Sequence, residues 1–218
     1  MGRYCVSCGY GVEVALTEKV RSAMRLFGLD VGRVRRGEQQ HRCEIELKAG
    51  QVCYITGASG AGKSVLLEKL YEATAAEERM RLDEIEIETD KSLVDCIEGD
   101  LLSVLRVLSR VGLSDAFSVL NRPGQLSEGQ RYRYRLAKAM ASDKRVIFAD
   151  EFCSNLDRIT AAVIAHNVRR AADETGKIFV LASSHDDLLC DLRADVIVIK
   201  RLVGSDEVVY SNQRSNSR

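Results

Sequence analysis

The chain has 218 residues, 45% of them hydrophobic, and its 32 basic and 32 acidic side chains give a formal net charge of zero. This length suits one α/β domain with a substantial core, and the balanced charge argues against a general polyanion-binding surface. No apolar run approaches the roughly 20 residues of a membrane-spanning helix, and the N-terminus lacks the apolar core of a secretory signal. We therefore expect a soluble, cytoplasmic protein without an integral membrane segment.

Residues 1–40 are predicted to form an N-terminal extension. It contains a C-x-x-C pair, Cys5 and Cys8, which is half of a zinc-ribbon ligand set. No second pair follows, so a four-ligand zinc site would have to be shared between two chains of a dimer. A helix is predicted from the N-cap Thr17 through Phe27. We expect its apolar stripe to pack against the protein's own core, and the alternative is that it binds a partner.

A glycine-rich loop follows two predicted strands, residues 42–47 and 52–56, that are expected to form a hairpin. The loop matches G-x-x-x-x-G-K-[ST] at every fixed position. Its glycines let successive N–H groups point at phosphate oxygens, and the helix that follows adds partial positive charge. Lys63 is predicted to reach the β- and γ-phosphates, and the Ser64 hydroxyl to hold Mg²⁺. The predicted nucleoside triphosphate loop consists of Gly57, Ala58, Ser59, Gly60, Ala61, Gly62, Lys63 and Ser64.

Strands and helices alternate through the rest of the chain, which predicts an α/β fold with a mainly parallel sheet and helices on both faces. The predicted elements are a strand at 85–87, helices over most of 92–120, a basic helix at about 128–141, a strand at 145–149, a helix at 158–175, a strand at 177–182, a short helix at 186–192, a strand at 195–199 and a hairpin partner ending at Tyr210.

Two carboxylates, Asp150 and Glu151, follow the apolar strand at 145–149. Because ligands bind at the carboxyl ends of strands in such sheets, we expect both to lie beside the glycine-rich loop. Asp150 is predicted to hold Mg²⁺ through water, and Glu151 to polarise the attacking water as a general base.

Three further segments carry a family resemblance. Residues 126–130 (LSEGQ) resemble the LSGGQ signature of the ATP-binding cassette (ABC) ATPases, residues 154–157 (SNLD) resemble the D-loop, and residues 183–185 (SSH) resemble the switch-histidine segment. With the glycine-rich loop and the two carboxylates, five elements stand in the family's order over roughly residues 41–200. The resemblance implies a P-loop NTPase fold of the ABC-ATPase type, with N-terminal antiparallel strands and a helical subdomain.

The resemblance also implies an ATPase in which two chains sandwich two Mg-ATP molecules head to tail. Ser127 and the Gly129 N–H would then contact the γ-phosphate bound by the other chain. His185 would contact the γ-phosphate and steady the attacking water, and Asp157 would link the two sites. The catalytic residues implied are Lys63, Glu151 and His185.

The sequence departs from the family pattern in several places. Glu128 stands where glycine is usual, and Arg131 is a candidate ion-pair partner for it. No glutamine follows the strand predicted at 85–87, which leaves Glu88 or Asp90 as candidate replacements. None of the aromatic residues ahead of the loop is a convincing candidate for stacking on adenine. The candidates for stacking by cation–π contact are Arg33, Arg35, Arg36 and His41.

Only 61 residues, 65–125, separate the glycine-rich loop from the signature, so a reduced helical subdomain is predicted at about 89–141. The ATPase domain is assigned to 41–210 and a flexible tail to 211–218. We expect a non-transport ABC ATPase, similar to a prokaryotic subgroup, that drives a conformational change in an unidentified protein partner. The alternatives are the ATPase subunit of a membrane transporter and a nucleic-acid-associated ATPase, the latter suggested by basic and aromatic residues on the signature helix.

Overall fold

The computed structural model describes residues 2–9, 17–28, 40–88, 90–202 and 206–211. Strands and helices alternate within these ranges. The strands are β1 (Gly2–Gly9), β2 (Gln40–Leu47), β3 (Val52–Gly57), β4 (Arg79–Arg81), β5 (Val146–Ala149), β6 (Ile178–Ala182), β7 (Val196–Lys200) and β8 (Glu207–Tyr210). The α-helices are α1 (Glu18–Leu26), α2 (Lys63–Glu72), α3 (Leu101–Arg110), α4 (Ala116–Leu120), α5 (Glu128–Ala141), α6 (Arg158–Thr175) and α7 (Leu189–Leu192), with 3₁₀ turns at Pro123–Gln125 and Asp186–Leu188.

The centre of the fold is a six-stranded sheet with the strand order β4-β5-β6-β3-β7-β8. Its strands run parallel except β8, which pairs antiparallel with β7 as the sequence predicted. Helices α5 and α6 cover one face, and α2 together with β2 covers the other, so the middle strands are apolar throughout. This confirms the predicted α/β fold and brings the carboxyl ends of β3, β5 and β6 to one edge.

The predicted hairpin between residues 42–47 and 52–56 is wrong. β2 pairs antiparallel with β1, whereas β3 lies between β6 and β7 in the large sheet. The reason is burial, because β3 is buried on both faces while alternate residues of β2 contact the core over α2. The pairing of β1 with β2 joins the predicted N-terminal extension, residues 1–40, to the segment that follows it.

The strand predicted at 85–87 is also wrong. The edge strand is β4, which pairs with β5, and residues 85–88 have no regular structure. Side chains of α5 bind the carbonyl groups of this segment, since Arg135 donates to the Ile85 oxygen and Lys138 to the Glu86 oxygen. A neighbouring strand is therefore not needed to satisfy its backbone.

Helices α5 and α6 have the predicted bounds, and α1 begins after Thr17, whose hydroxyl accepts the Val20 N–H. No described side chain of α1 is buried, and Phe27 is 79% exposed. The expectation that this helix packs against the protein's own core is therefore wrong for the described residues. No helix in the described part of the chain has the length and apolarity that crossing a bilayer requires.

Several predictions lie outside the described residues. The adenine-stacking candidates Arg33, Arg35 and Arg36 and residues 212–218 of the predicted tail belong there. The backbone of Cys5, Cys8 and His41 is described as strand, but their side chains are not.

Candidate nucleotide site

The glycine-rich loop joins the carboxyl end of β3 to the N-terminus of α2. Gly62 is the N-cap of this ten-residue helix, has a φ of +86° and has no side chain with which to cap it. The first N–H groups of a helix have no partner within the helix. Exposed in a glycine-rich loop, these groups form the arrangement that binds phosphate.

The Lys63 side chain folds back onto the glycine-rich loop. Its ammonium group donates to the carbonyl oxygens of Gly57, at 2.8 Å, and Ala58, at 3.0 Å. An ammonium has three N–H donors, so one remains for a phosphate oxygen after these two bonds. The side chain thus stiffens the loop and carries positive charge into it.

A cleft of about 470 Å³ opens above the loop. It brings together Lys63 and Ser64 from the loop, Asp150 and Glu151 from the end of β5, and His185 from the end of β6. Among the described residues its lining is Ser59, Gly60, Gly62, Lys63, Ser64, Asp150, Glu151, Ser154, Asn155, Ser183, Ser184 and His185. The five predicted residues therefore share one cavity.

The donors in the cleft suit Mg²⁺. Ser64 offers a hydroxyl and Asp150 a carboxylate, which also accepts the Glu151 N–H at 3.0 Å. Mg²⁺ typically takes one or two protein oxygens and completes its shell with substrate phosphates and water. Among the described residues no cluster of three or more His, Cys, Asp or Glu side chains is placed to hold a metal by itself. This donor set fits an ion held jointly by protein and nucleotide.

The turn that carries Glu151 has an unusual backbone. Glu151 has a φ of +47° and Cys153 a φ of +61°, both in the left-handed region that residues other than glycine rarely adopt. Ser154 closes the turn by donating its N–H, at 3.0 Å, and its hydroxyl, at 2.8 Å, to the Glu151 oxygen. Phe152, which lies between Glu151 and Cys153, is fully buried and donates its N–H to the Ala182 oxygen. Such strain persists only where surrounding contacts hold it.

The loop that carries His185 is bound to β3. Ser183 donates its N–H to the Ile55 oxygen at 3.0 Å, and the Thr56 hydroxyl donates to the Asp186 carboxylate. The buried Tyr54 phenol donates to the His185 carbonyl oxygen at 2.5 Å. Burial raises the pKa of Tyr54 to about 12, so the phenol keeps its proton at physiological pH.

The described lining of the cleft does not include Ser127, Gly129 or Asp157. Ser127 is the N-cap of α5 and forms a capping box with Gln130, with bonds of 3.3 and 3.0 Å. This leaves the Ser127 O–H able to donate elsewhere. Gly129 packs close to the D-loop, since an added Cβ would lie 3.2 Å from the Leu156 side chain.

Asp157 is the N-cap of α6. Its carboxylate accepts the Thr160 N–H at 3.0 Å, and bonds to the Thr160 side chain and backbone lower the pKa of Asp157. Asp157 therefore has a capping role within its own chain, in addition to the link between two ATP sites that the resemblance implies.

The predicted ion-pair partner Arg131 and the predicted glutamine replacement Glu88 do not make the contacts that the sequence suggested. Arg131 donates to the Leu126 carbonyl, and in the described part of the chain it forms no ion pair with Glu128. Glu88 pairs with Lys91 at 3.1 Å and lies outside the nucleotide cleft.

Asp83 is an acidic residue that shares a cleft with Asp150 and Glu151 and for which the sequence predicted no role. It lines a second cleft, of about 310 Å³, together with Asp150 and Glu151, and Arg81 binds both oxygens of its carboxylate, at 3.1 and 2.8 Å. The position of Asp83 after the edge strand was not recognised, because this strand was predicted at 85–87, six residues after its actual position. With β4 at Arg79–Arg81, the acidic residue that follows the strand is Asp83.

The chain is similar to known ATP-binding proteins. A family model described as ABC transporter matches residues 41–100. The phosphonates import ATP-binding protein PhnC of Hyphomonas neptunium is 30% identical over 203 residues, which span 73% of this chain and 76% of that protein. The lipoprotein-releasing system ATP-binding protein LolD of Gluconobacter oxydans is 28% identical over 77% of this chain and 89% of its own length. Four other import ATP-binding proteins are covered over only 41% to 61% of their length.

Solved structures share the fold. The dimeric post-hydrolysis state of the ATP-binding cassette MJ0796 bound to ADP and Pi gives a TM-score of 0.61 at 17% identity, covering 79% of this chain and 92% of the other.

Proposed function

This chain belongs to the ATP-binding cassette (ABC) ATPase family, and from that premise we propose that it is the ATP-hydrolysing subunit of an ABC transporter. It is an ATPase, since ATP hydrolysis is the characteristic activity of the family. The non-transport role expected from the sequence is not supported, because the named relatives are ATP-binding proteins of import and lipoprotein-releasing systems. The observation that carries the proposal is the 30% identity with an import ATP-binding protein.

The proposed chemistry uses the residues around the cleft. The N-terminus of α2 and the Lys63 ammonium would bind the β- and γ-phosphates. Glu151 would accept a proton from the water that attacks the γ-phosphorus, and His185 would contact the γ-phosphate and steady that water. Ser64 and Asp150 would hold Mg²⁺, which when bound neutralises charge on the phosphate oxygens.

We also propose that two copies complete each site. Ser127 and Gly129 of each chain would face the γ-phosphate held by the other chain, with the N-terminus of α5 adding its partial positive charge. This assignment is supported by their position at a helix start outside the cleft of their own chain. Asp157 would lie between the two sites.

The dimer is tested with the Glu151→Gln variant, which keeps the size of the side chain and removes the base. Light scattering should show a monomer-to-dimer shift on addition of Mg-ATP, because bound ATP is no longer hydrolysed. The unmodified chain, measured in parallel, should show a smaller or transient shift. Binding of ATP without any dimer would contradict the roles given to Ser127 and Gly129.

A groove separate from the nucleotide cleft supports a coupled partner. It measures about 630 Å³ and lies between the irregular segments 82–88 and 90–100 and the end of α5. Its lining includes Met80, Ile85, Glu88, Lys91, Asp95, Cys96, Ile97, Glu98, Lys138 and Asp143. Side chains of α5 hold this segment, among them Tyr134, whose phenol donates to the Leu93 oxygen at 3.1 Å. Movement of α5 during the ATP cycle would therefore move one wall of the groove.

Photo-crosslinking tests the transporter assignment. A benzophenone amino acid at Glu98, exposed in the groove, should crosslink the chain to a protein with membrane-spanning helices when both are present in the native host. The matched control replaces Arg170, which is exposed on α6 away from the groove, and should give no such product. Crosslinks from position 98 only to proteins without membrane spans would favour the non-transport role.

The basic residues that suggested a nucleic-acid-associated ATPase are bound within the chain itself. Four basic side chains on α5 bind backbone carbonyl groups of their own chain. They are Arg131 on Leu126, Arg133 on Val111 and Gly112, Arg135 on Ile85 and Lys138 on Glu86. These contacts account for the basic residues without an external polyanion.

A further inference from the structure

We propose that two tyrosines, Tyr54 and Tyr132, are positioning residues that hold His185 and the Glu151 turn in place. The proposal rests on the proposed function, because it assumes that Glu151 and His185 act on the bound ATP. Neither tyrosine touches the nucleotide in this scheme. Each acts by fixing the backbone that carries a reacting side chain.

Tyr54 holds the histidine loop. It lies on β3, three residues before the glycine-rich loop, and is fully buried. Its phenol donates to the His185 carbonyl oxygen at 2.5 Å, on the same residue whose imidazole is assigned to the γ-phosphate. Because Tyr54 belongs to the strand that carries the phosphate loop, this bond fixes the distance between His185 and the loop.

Tyr132 holds the turn of the general base. It lies on the signature helix α5 and is partly buried, and its phenol oxygen accepts the Cys153 N–H at 3.1 Å. Cys153 is one of the two residues of this turn with left-handed backbone, and Glu151 is the other. A bond to the backbone N–H at that point opposes relaxation of the turn, which would swing the Glu151 carboxylate away from the attacking water.

The two phenols form one buried polar group with Cys153. The Tyr132 phenol oxygen accepts the Cys153 N–H, and Tyr54 is an electrostatic neighbour of both residues. Burial raises the pKa of Tyr54 to about 12, so its phenol stays protonated and keeps donating to the His185 carbonyl across the physiological range. The strand of the phosphate loop, the signature helix and the base turn thus meet at this group.

The test replaces each tyrosine by phenylalanine, which removes the hydroxyl and keeps the ring. Tyr54→Phe and Tyr132→Phe are each expected to lower kcat about tenfold while KM for ATP changes by less than about twofold, because the lost contact misplaces a reacting group without touching the binding loop. The matched control is Tyr134→Phe. Tyr134 is buried on α5 and, like Tyr54, donates to a backbone carbonyl, here that of Leu93; it is outside the described lining of both clefts that contain Glu151.

Tyr134→Phe should keep kcat within about twofold although its thermal unfolding midpoint falls by as much as that of the other variants. Normal turnover in both Tyr54→Phe and Tyr132→Phe would overturn the proposal, as would equal losses of kcat in all three variants. A loss in only one would overturn the role of the other. Glu151→Gln, assayed alongside, separates the two proposals. Normal hydrolysis by Glu151→Gln would refute the assignment of Glu151 as the base. If hydrolysis needs Glu151 but both tyrosine variants hydrolyse ATP normally, only the positioning role is refuted.

Discussion

A Cβ atom at position 57 would lie 2.2 Å from the backbone oxygen of Lys200, because the last residue of β3 pairs with the last residue of β7. Gly57 also has a φ of +138°, a conformation that residues with a side chain rarely adopt. The first glycine of the phosphate loop is therefore fixed by the packing of two strands as well as by phosphate binding.

We expect Gly57→Ala to lower the free energy of unfolding by at least about 3 kcal/mol, because the clash is with backbone and cannot be relieved by a rotamer change. The matched control is Gly60→Ala in the same loop. Gly60 has a φ of +78°, and nothing lies within 4 Å of an added Cβ, so we expect a loss of only about 1–2 kcal/mol. Urea denaturation followed by circular dichroism measures both. Equal losses of unfolding free energy in the two variants would mean that β3 and β7 can move apart with little loss of stability.

A second prediction concerns the buried ion pair between Arg169 and Asp195. Their closest atoms are 2.7 Å apart, both side chains are less than 10% exposed, and Asp195 also accepts the Val52 N–H at 2.8 Å. Arg169→Met should lower the free energy of unfolding by about 3–5 kcal/mol, because it leaves a carboxylate buried without its cation. Urea denaturation is again the measurement.

The neighbouring residue on α6 supplies the control. Arg170 pairs with Glu174 at 2.7 Å but is 65% exposed, and Arg170→Met should cost less than about 1 kcal/mol. If the two variants were equally stable, the ion pair between Arg169 and Asp195 would not form in solution.

A third prediction separates the two roles of Ser127. As an N-cap its oxygen accepts the Gln130 N–H, and in the proposed dimer its hydroxyl faces a phosphate. Ser127→Asp should keep the stability of the chain, since aspartate is an equally good N-cap, but should abolish the dimer that forms with Mg-ATP in the Glu151→Gln background, because a carboxylate repels phosphate.

Ser127→Ala gives the complementary result. It should lower the free energy of unfolding by about 1 kcal/mol through loss of the cap and weaken the dimer less than Ser127→Asp does. Light scattering and thermal unfolding on the same samples distinguish the two effects. A Ser127→Asp protein that still forms the dimer with Mg-ATP would show that position 127 does not face a phosphate.

The sequence alone determined those parts of the protein whose information is contiguous in the chain. The glycine-rich loop is preceded by an apolar strand and followed by a helix, so strand, loop and helix could be identified together. The bounds of α5 and α6 were predicted correctly, and the structure shows that their capping residues, Ser127 and Asp157, mark the starts locally. The order of the five family elements indicated the family and the ATPase activity.

Only the tertiary structure decided which segments meet. β2 and β3 are adjacent in the chain yet join different sheets, and the short edge strand β4 has too little apolar pattern to be distinguished from the residues after it. As a consequence Asp83 comes to lie beside the two carboxylates, Tyr54 reaches His185, and Tyr132 reaches Cys153. The physical reason is that hydrogen-bond and packing partners are chosen by competition among all buried faces of the chain, and no local pattern records the outcome of that competition.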